Sequence, residues 1–264
     1  MTGAKHLEGQ WALILGGSSG LGLATAKKLA AEGMNICIIH RDSRQAMAEI
    51  QQDFDKIRKK GNPFLSFNVD ASNSEKIGSV VNDIRAEVGQ GSVYCIVHSI
   101  AKGNLKSMVD SQEGELQKND FLITVDAMSV SLYEWVKSVF SAGLFAKDAR
   151  VLSFTSMGNS RAYRGYAAVS AAKAALEAIT RNIALEFAPY GIRANCIQAG
   201  LTDTKSQRMI PGAAEMKEQS IRRNPFKRIT TPEDVADAVY LLCQPEAAWI
   251  TGAVIPVDGG ESII

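Results

Sequence analysis

Seven short apolar runs punctuate the chain: WALIL, NICIIH, FLSFNV, VYCIVHS, RVLSFTS, IRANCIQA and AVIPVDGG, each separated from the next by a longer stretch of helical pattern. Hydrophobicity within the runs is continuous rather than alternating, which is what strands covered on both faces require. Such alternation is the signature of βαβ units, so the sequence predicts an α/β fold with a doubly wound parallel sheet of about seven strands and helices on both faces. A chain of 264 residues with 46% hydrophobic content buries one large core, and residues 1–264 are expected to form a single domain. The least regular segments, 99–118 and 201–224, follow the fourth and sixth runs. Both lie at carboxyl ends of strands, where open α/β sheets bind ligands.

Charge and residue usage narrow the function. Lys plus Arg number 29 against 28 Asp plus Glu, a net charge of +1, which argues against a nucleic-acid partner and against a polybasic membrane binder. The first ten residues hold no apolar run and no run is long enough to span a bilayer, so no membrane insertion and a cytoplasmic location are expected. Four cysteines form no C-x-x-C pair and read as buried thiols in a reducing compartment. Three scattered histidines, at 6, 40 and 98, make a Ser-His-Asp hydrolase hard to build, and no metal site is expected.

The first run leads directly into LGGSSGLGLATAKKLAAEG. Gly17, Gly20 and Gly22 form G-x-x-x-G-x-G between a strand and a helix, with Ser18, Ser19 and Leu21 filling the turn. Glycine permits the tight turn and lets a pyrophosphate approach the backbone, and the helix start offers free N–H groups and a positive dipole end. In this context the fold is read as Rossmann-type, although a glycine-rich turn without a ligand would look the same. About twenty residues on, an NAD-preferring fold places an acid at the tip of the second strand. Here His40 stands at that point and Arg41 follows. Arg41, with Arg44 nearby, suits the 2′-phosphate of NADPH, whereas Asp42 restores an NAD-type acid if the register moves by two residues, so NADH stays possible.

In RGYAAVSAAKAALEAIT, Tyr166 and Lys173 stand seven residues apart, nearly two helical turns, and so are expected on one helix face about 10 Å apart along its axis. Val169, one turn from Lys173, has no proton to exchange. The small residues around them would let a ligand or a packing partner lie close. An ordinary helix with an interfacial Tyr and a solvated Lys would carry the same letters.

These features in this order, GGSSGLG, NV at 68–69, HSIA at 98–101, FTSMG at 154–158, the Tyr/Lys segment, IRANCIQAG at 192–200 and VDGG at 257–260, resemble the short-chain dehydrogenase/reductase superfamily over essentially the whole chain. Gly16, Asn68, HSIA and Ala199 depart from its commonest residues, and so does the tyrosine spacing: most members place it four residues before the lysine, where this chain has Val169. The Tyr-x6-Lys spacing and VHSIA resemble the enoyl-acyl-carrier-protein reductase branch, closest to those NADPH-dependent members that keep the superfamily's glycine loop.

The resemblance implies roles. Tyr166 would stabilise the oxygen of an enoyl thioester, Lys173 would hydrogen-bond the nicotinamide ribose and favour a more acidic Tyr166, and Ser156 would assist, with Tyr163 at an accessory place. Asn68 and Val69 would meet the adenine, and Ser99, Ile100, Ala101, Gly200 and Thr202 would complete the cofactor site. The segment near 201–224 would be a substrate lid, its Met209, Ile210, Met216 and Ile221 against an acyl chain, and its Lys205, Arg208, Lys217, Arg222 and Arg223 facing an acyl carrier protein; a helix merely solvated on its charged side fits equally. The partners implied are an acyl thioester on that carrier and a second copy of the chain, as a dimer or tetramer. The alternatives are a carbonyl or 3-oxoacyl-thioester reductase with Tyr166 or Tyr163 as acid, and a non-catalytic dinucleotide sensor.

Overall fold

The computed structural model describes residues 6–109, 114–210 and 212–264. In chain order its elements are β1 (Trp11–Leu15), α1 (Gly20–Ala31), β2 (Asn35–His40), α2 (Met47–Arg58), β3 (Phe64–Asn68), α3 (Ser74–Val88), β4 (Val93–His98), α4 (Lys118–Val125), α5 (Ser131–Ser141), β5 (Phe145–Ser156), α6 (Ala167–Glu186), β6 (Arg193–Ala199), α7 (Lys205–Arg208), α8 (Ala213–Arg223), α9 (Pro232–Leu242) and β7 (Val254–Val257). A single π-helical turn, Asp126–Val130, joins α4 to α5. The strands are all parallel, in the order β3-β2-β1-β4-β5-β6-β7. Each expected run is a strand. β5 starts at Phe145 rather than Arg150, with a register shift opposite Val93–Cys95 that takes up the polar residues Lys147 and Asp148, and β7 stops at Val257, short of the DGG that ends its run.

Continuous apolarity in the central runs has the expected cause, since every residue of β1, β2 and β4 is buried. Side chains alternate between faces along a strand. Ala12 and Ile14 therefore join a core with Leu29 of α1, Phe54 of α2 and Val239 of α9, while Leu13 and Leu15 join a second core with Val81 of α3, Trp135 of α5 and Leu176 of α6. Burying each such aliphatic side chain contributes roughly 1.5–3 kcal/mol. Thr231 and Asp234 form a reciprocal cap at the start of α9, with Pro232 at its first position. At its other end the buried Arg150 donates Nε–H to the Leu242 carbonyl at 3.0 Å and Tyr94 donates O–H to the Cys243 carbonyl at 2.8 Å, satisfying helix-end acceptors at the negative pole. All four cysteines are free and buried.

Strand order reverses direction beside β1, whose neighbours are β2 and β4, so the helices leaving those strands diverge and open a cleft at the carboxyl edge. The irregular segment after β4 is described for 99–109 and 114–117, and residues 110–113 of the expected 99–118 stretch lie outside the described residues. The 201–224 stretch holds α7 and α8, with Pro211 outside the described residues. Among the described residues no helix is long and apolar enough to cross a membrane.

Candidate active site

The carboxyl edge of the sheet holds a cleft of about 470 Å³ that runs from the glycine turn after β1 to the helices after β6. At its first end the turn fits an anion. Ser19 stands at the start of α1 in an extended conformation without capping the helix, and the first turn carries no acidic residue, so its N–H groups and dipole end face the cleft. Ser18, Ser19, Gly20 and Leu21 line the wall. Gly17 and Gly22 do not, and act on packing: a Cβ on Gly17 would meet Ile38 Cγ2 at 2.9 Å, and one on Gly22 would strike the Gly16 carbonyl. Gly16, with φ +86 and a hypothetical Cβ 2.5 Å from the Ser99 carbonyl, is the glycine that lets β4's loop close on the turn. The bare helix start and these close approaches fit the pyrophosphate of a nicotinamide dinucleotide.

At the tip of β2, His40, Arg41 and Asp42 all line the cleft. His40 Nδ1 and Asp42 Oδ2 are 2.8 Å apart, and Arg41 donates to Asp70 at 2.9 Å. Asn68 lies outside the cleft wall, its amide engaged twice with the Asp42 backbone, accepting from the N–H and donating to the carbonyl, each at 3.1 Å. It holds the β2–α2 turn in place, and Val69 and Asp70 form the wall in its stead. Ser99, Ile100 and Ala101 line the cleft after β4, as do Gly200 and Thr202 after β6. The buried Thr202 hydroxyl donates to the Gly200 carbonyl at 2.9 Å.

Tyr166 is not in the helix with Lys173. It is the N-cap residue, one position before α6, with φ −112 and ψ 4, and its carbonyl accepts the Ser170 N–H at 2.8 Å. The two-turn spacing is therefore realised by a residue at the helix mouth, where its phenol enters the cleft free of the helical direction that binds interior side chains. Its ring lies across Gly158, where a Cβ would collide with Cε1, and edge-on to Tyr163 at 6.1 Å between centroids. Burial pushes the phenol pKa up, against the neighbouring Ser156 hydroxyl, which draws it down. The Ser156 Oγ is buried and makes no hydrogen bond of good geometry. It lies beside the phenol without the alignment that a hydrogen bond requires.

Lys173 is buried and donates to the Phe154 carbonyl at 2.6 Å. Burial pulls its pKa down to about 8. Desolvation governs the Tyr166 phenol, and the Ser156 hydroxyl opposes it. Val169 is buried between them and packs with Met128 and Ala172; a Cβ on Gly103 would stand 2.7 Å from its Cγ2. The place one turn before Lys173 is thus an aliphatic wall. His98, at the end of β4, shares a hydrogen bond with Ser131 at 2.9 Å, and burial followed by the Lys173 charge holds its pKa at about 3, so it is neutral.

In the segment after β6, Ile210 and Met216 line the cleft, whereas Met209 is 74% exposed. The basic residues divide. Arg208 and Lys217 both pair with Asp203, at 2.6 and 2.7 Å, and Arg223 lies on the cleft 3.9 Å from the buried Glu261. Among the wall residues given no role in the sequence are Asp70, Lys102 and Glu261. Each directly follows a quoted motif, at 68–69, 98–101 and 257–260, but partners distant in the chain define what each does.

Comparison with known proteins agrees with this architecture. The family model described as enoyl-(acyl carrier protein) reductase matches residues 16–262. The chain is 27% identical over 257 residues to 1-cyclohexenylcarbonyl-CoA reductase of Streptomyces collinus, covering 97% of this chain and 88% of that one. It is 29% identical over 259 residues to the 3-oxoacyl-[acyl-carrier-protein] reductase FabG of Escherichia coli, covering 98% and 100%. Among solved structures it resembles the enoyl-[acyl-carrier-protein] reductase (NADH) of Aquifex aeolicus, with TM-score 0.83, 26% identity and 98% of both chains covered.

Proposed function

The chain belongs to the enoyl-(acyl carrier protein) reductase family within the short-chain dehydrogenase/reductases and is an oxidoreductase of that superfamily, and from this premise we propose that it reduces the C2–C3 double bond of enoyl thioesters on acyl carrier protein, in fatty acid synthesis, with NADPH. The observation that carries this reading is the buried Val169 wall one turn before Lys173, which leaves Tyr163 and Tyr166 as phenols of the cleft, with Tyr166, at the helix mouth, the one beside Ser156. Arg41 at the tip of β2 supports the NADPH preference.

Bound nicotinamide supplies the hydride. Hydride arriving at C3 builds enolate charge on the thioester oxygen, and the groups here act on that oxygen. The Tyr166 phenol, its pKa raised by burial, stays protonated near neutral pH and donates a hydrogen bond where charge develops. The unsatisfied Ser156 hydroxyl beside it is a second donor within the same desolvated pocket. Lys173, mostly protonated below pH 8, would hydrogen-bond the ribose and so orient the cofactor against the substrate. Leu105, Met128 and Val169 offer the acyl chain an apolar wall, and α7 and α8 act as its lid.

The same reading makes the protein a cytoplasmic homo-oligomer, dimeric or tetrameric. Exposed apolar residues support it: Tyr133 on α5, Leu185 on α6, Tyr190 just after it, and Trp249 before β7, which is 97% exposed. A second reading, reduction of 3-oxoacyl thioesters, is favoured by Ser156 beside the phenol, an arrangement equally able to polarise a ketone. Oxidation of NADPH and NADH by purified protein with crotonyl and with acetoacetyl thioesters separates the two. The enoyl reading requires a higher kcat/KM for the crotonyl thioester, and a preference for acetoacetyl replaces it with the rival.

A further inference from the structure

Three loops at the carboxyl edge meet on one carboxylate. Asp70, two residues past β3, accepts through Oδ2 from Arg41 Nη1 at 2.9 Å, on the turn after β2, and from Lys102 Nζ at 3.0 Å, on the loop after β4. Its Oδ1 accepts from the Ser72 N–H at 3.0 Å and the Ser72 hydroxyl at 2.7 Å. Lys102 also reaches the Ser72 hydroxyl at 3.2 Å. Burial works against the charge on Asp70, but the Ser72 and Lys102 hydrogen bonds outweigh it and keep the carboxyl below the usual carboxylate range, so it is ionised at neutral pH. Arg41, Asp70 and Lys102 all line the cleft that starts at the glycine turn.

The arrangement places a fixed negative charge against the cation expected to receive a 2′-phosphate. A dianion arriving at Arg41 must share the guanidinium with Asp70 and is repelled by it, whereas a ribose with a free 2′-hydroxyl carries no charge to repel. Both cations are at least 40% exposed in their side chains, so each ion pair is worth little by itself and Arg41 is free to redirect. We infer that Asp70 is a specificity-determining residue for the cofactor: its carboxylate moderates the attraction of the Arg41 and Lys102 pole for the 2′-phosphate and narrows the margin between NADPH and NADH. This rests on the reading in which Arg41 receives the 2′-phosphate.

Equilibrium titration of the full chain with adenosine 2′,5′-bisphosphate and with AMP tests it without turnover. Asp70→Asn removes the charge and keeps the shape, and it should tighten the bisphosphate about three- to tenfold while AMP stays within about twofold. Asp70→Ser should move affinity in the same direction, which guards against a local effect of the amide. In an Arg41→Ala background the gain should shrink to the part carried by Lys102. Unchanged or weaker bisphosphate binding in both Asp70 variants, with Arg41→Ala still weakening it, overturns the role of Asp70 and leaves the NADPH reading standing. If Arg41→Ala leaves bisphosphate affinity untouched, the assignment of Arg41 falls and the inference falls with it.

Discussion

The ring of Tyr166 occupies the space that a side chain on residue 158 would need: a Cβ built on Gly158 collides with the Tyr166 Cε1 and comes within 3.4 Å of the Ser156 hydroxyl. The glycine after β5 thus sets the position of the phenol. Gly158→Ala should push the ring out of line with the cleft and lower kcat on the order of 100-fold, a loss typical of a misplacement near 1 Å. Affinity for the dinucleotide should hold, because its turn lies at the other end of the cleft. Steady-state kinetics with nucleotide titration checks this, and equal kcat in the variant would separate Gly158 from the chemistry.

Lys173 carries a pH signature of known sign. Folded, its ammonium titrates at about 8, against 10.5 for the unfolded reference. The native state thus binds the proton less well than the unfolded chain, so the buried charge destabilises fully below pH 8 and its penalty is relieved as pH rises from 8 toward 10.5. That penalty is on the order of 3 kcal/mol, reduced by the hydrogen bond to Phe154. Lys173→Met should abolish activity yet raise the melting temperature at pH 7 by a few degrees, and the gain should shrink between pH 8 and 10. A melting temperature lowered at every pH would contradict it.

How much of this was legible in the letters varies with the physics involved. The parallel sheet could be read because burial on both faces writes itself as unbroken apolar runs, and all seven became strands. The glycine turn could be read because its neighbours are local in sequence. Tyr166 was assigned to a helix face because periodicity has no sign for an N-cap when the residue there is not Ser, Thr, Asp or Asn. Asn68 was assigned to the adenine by resemblance, whereas its amide is spent on the Asp42 backbone, a contact across two strand ends. Asp70 and Glu261 act through partners 29 to 60 residues away, and spacing along one segment cannot reveal such pairs.

Glu261 ties the proposed lid to the last turn of the chain. It is 1% exposed and accepts from the Ser220 hydroxyl at 2.6 Å and the Leu201 N–H at 3.1 Å. Glu261→Ala leaves the buried Ser220 hydroxyl and the half-buried Leu201 N–H without this acceptor and should cost about 1–3 kcal/mol of stability. It should also raise KM for the acyl substrate more than KM for the nucleotide, and speed tryptic cleavage in α8. Proteolysis rates identical to those of the parent protein would show that this anchor does not hold the helix.

The exposed Arg222 separates carrier docking from lid geometry, since its neighbour Arg223 lies on the cleft wall near Glu261. Arg222→Ser should raise KM for the carrier-bound substrate about two- to fivefold, more strongly at low salt, and leave the CoA analogue unchanged. Equal effects on both thioesters would remove the carrier from the account.

The central claim is that the phenol at the mouth of α6 stabilises the developing oxyanion, and its most direct test is the turnover of a Tyr166→Phe variant on crotonyl thioester. The account predicts that kcat falls by about 100- to 1,000-fold while the dinucleotide binds as before. Turnover equal to that of the parent protein would contradict it and move the donor role to another group of the cleft, Tyr163 first among them.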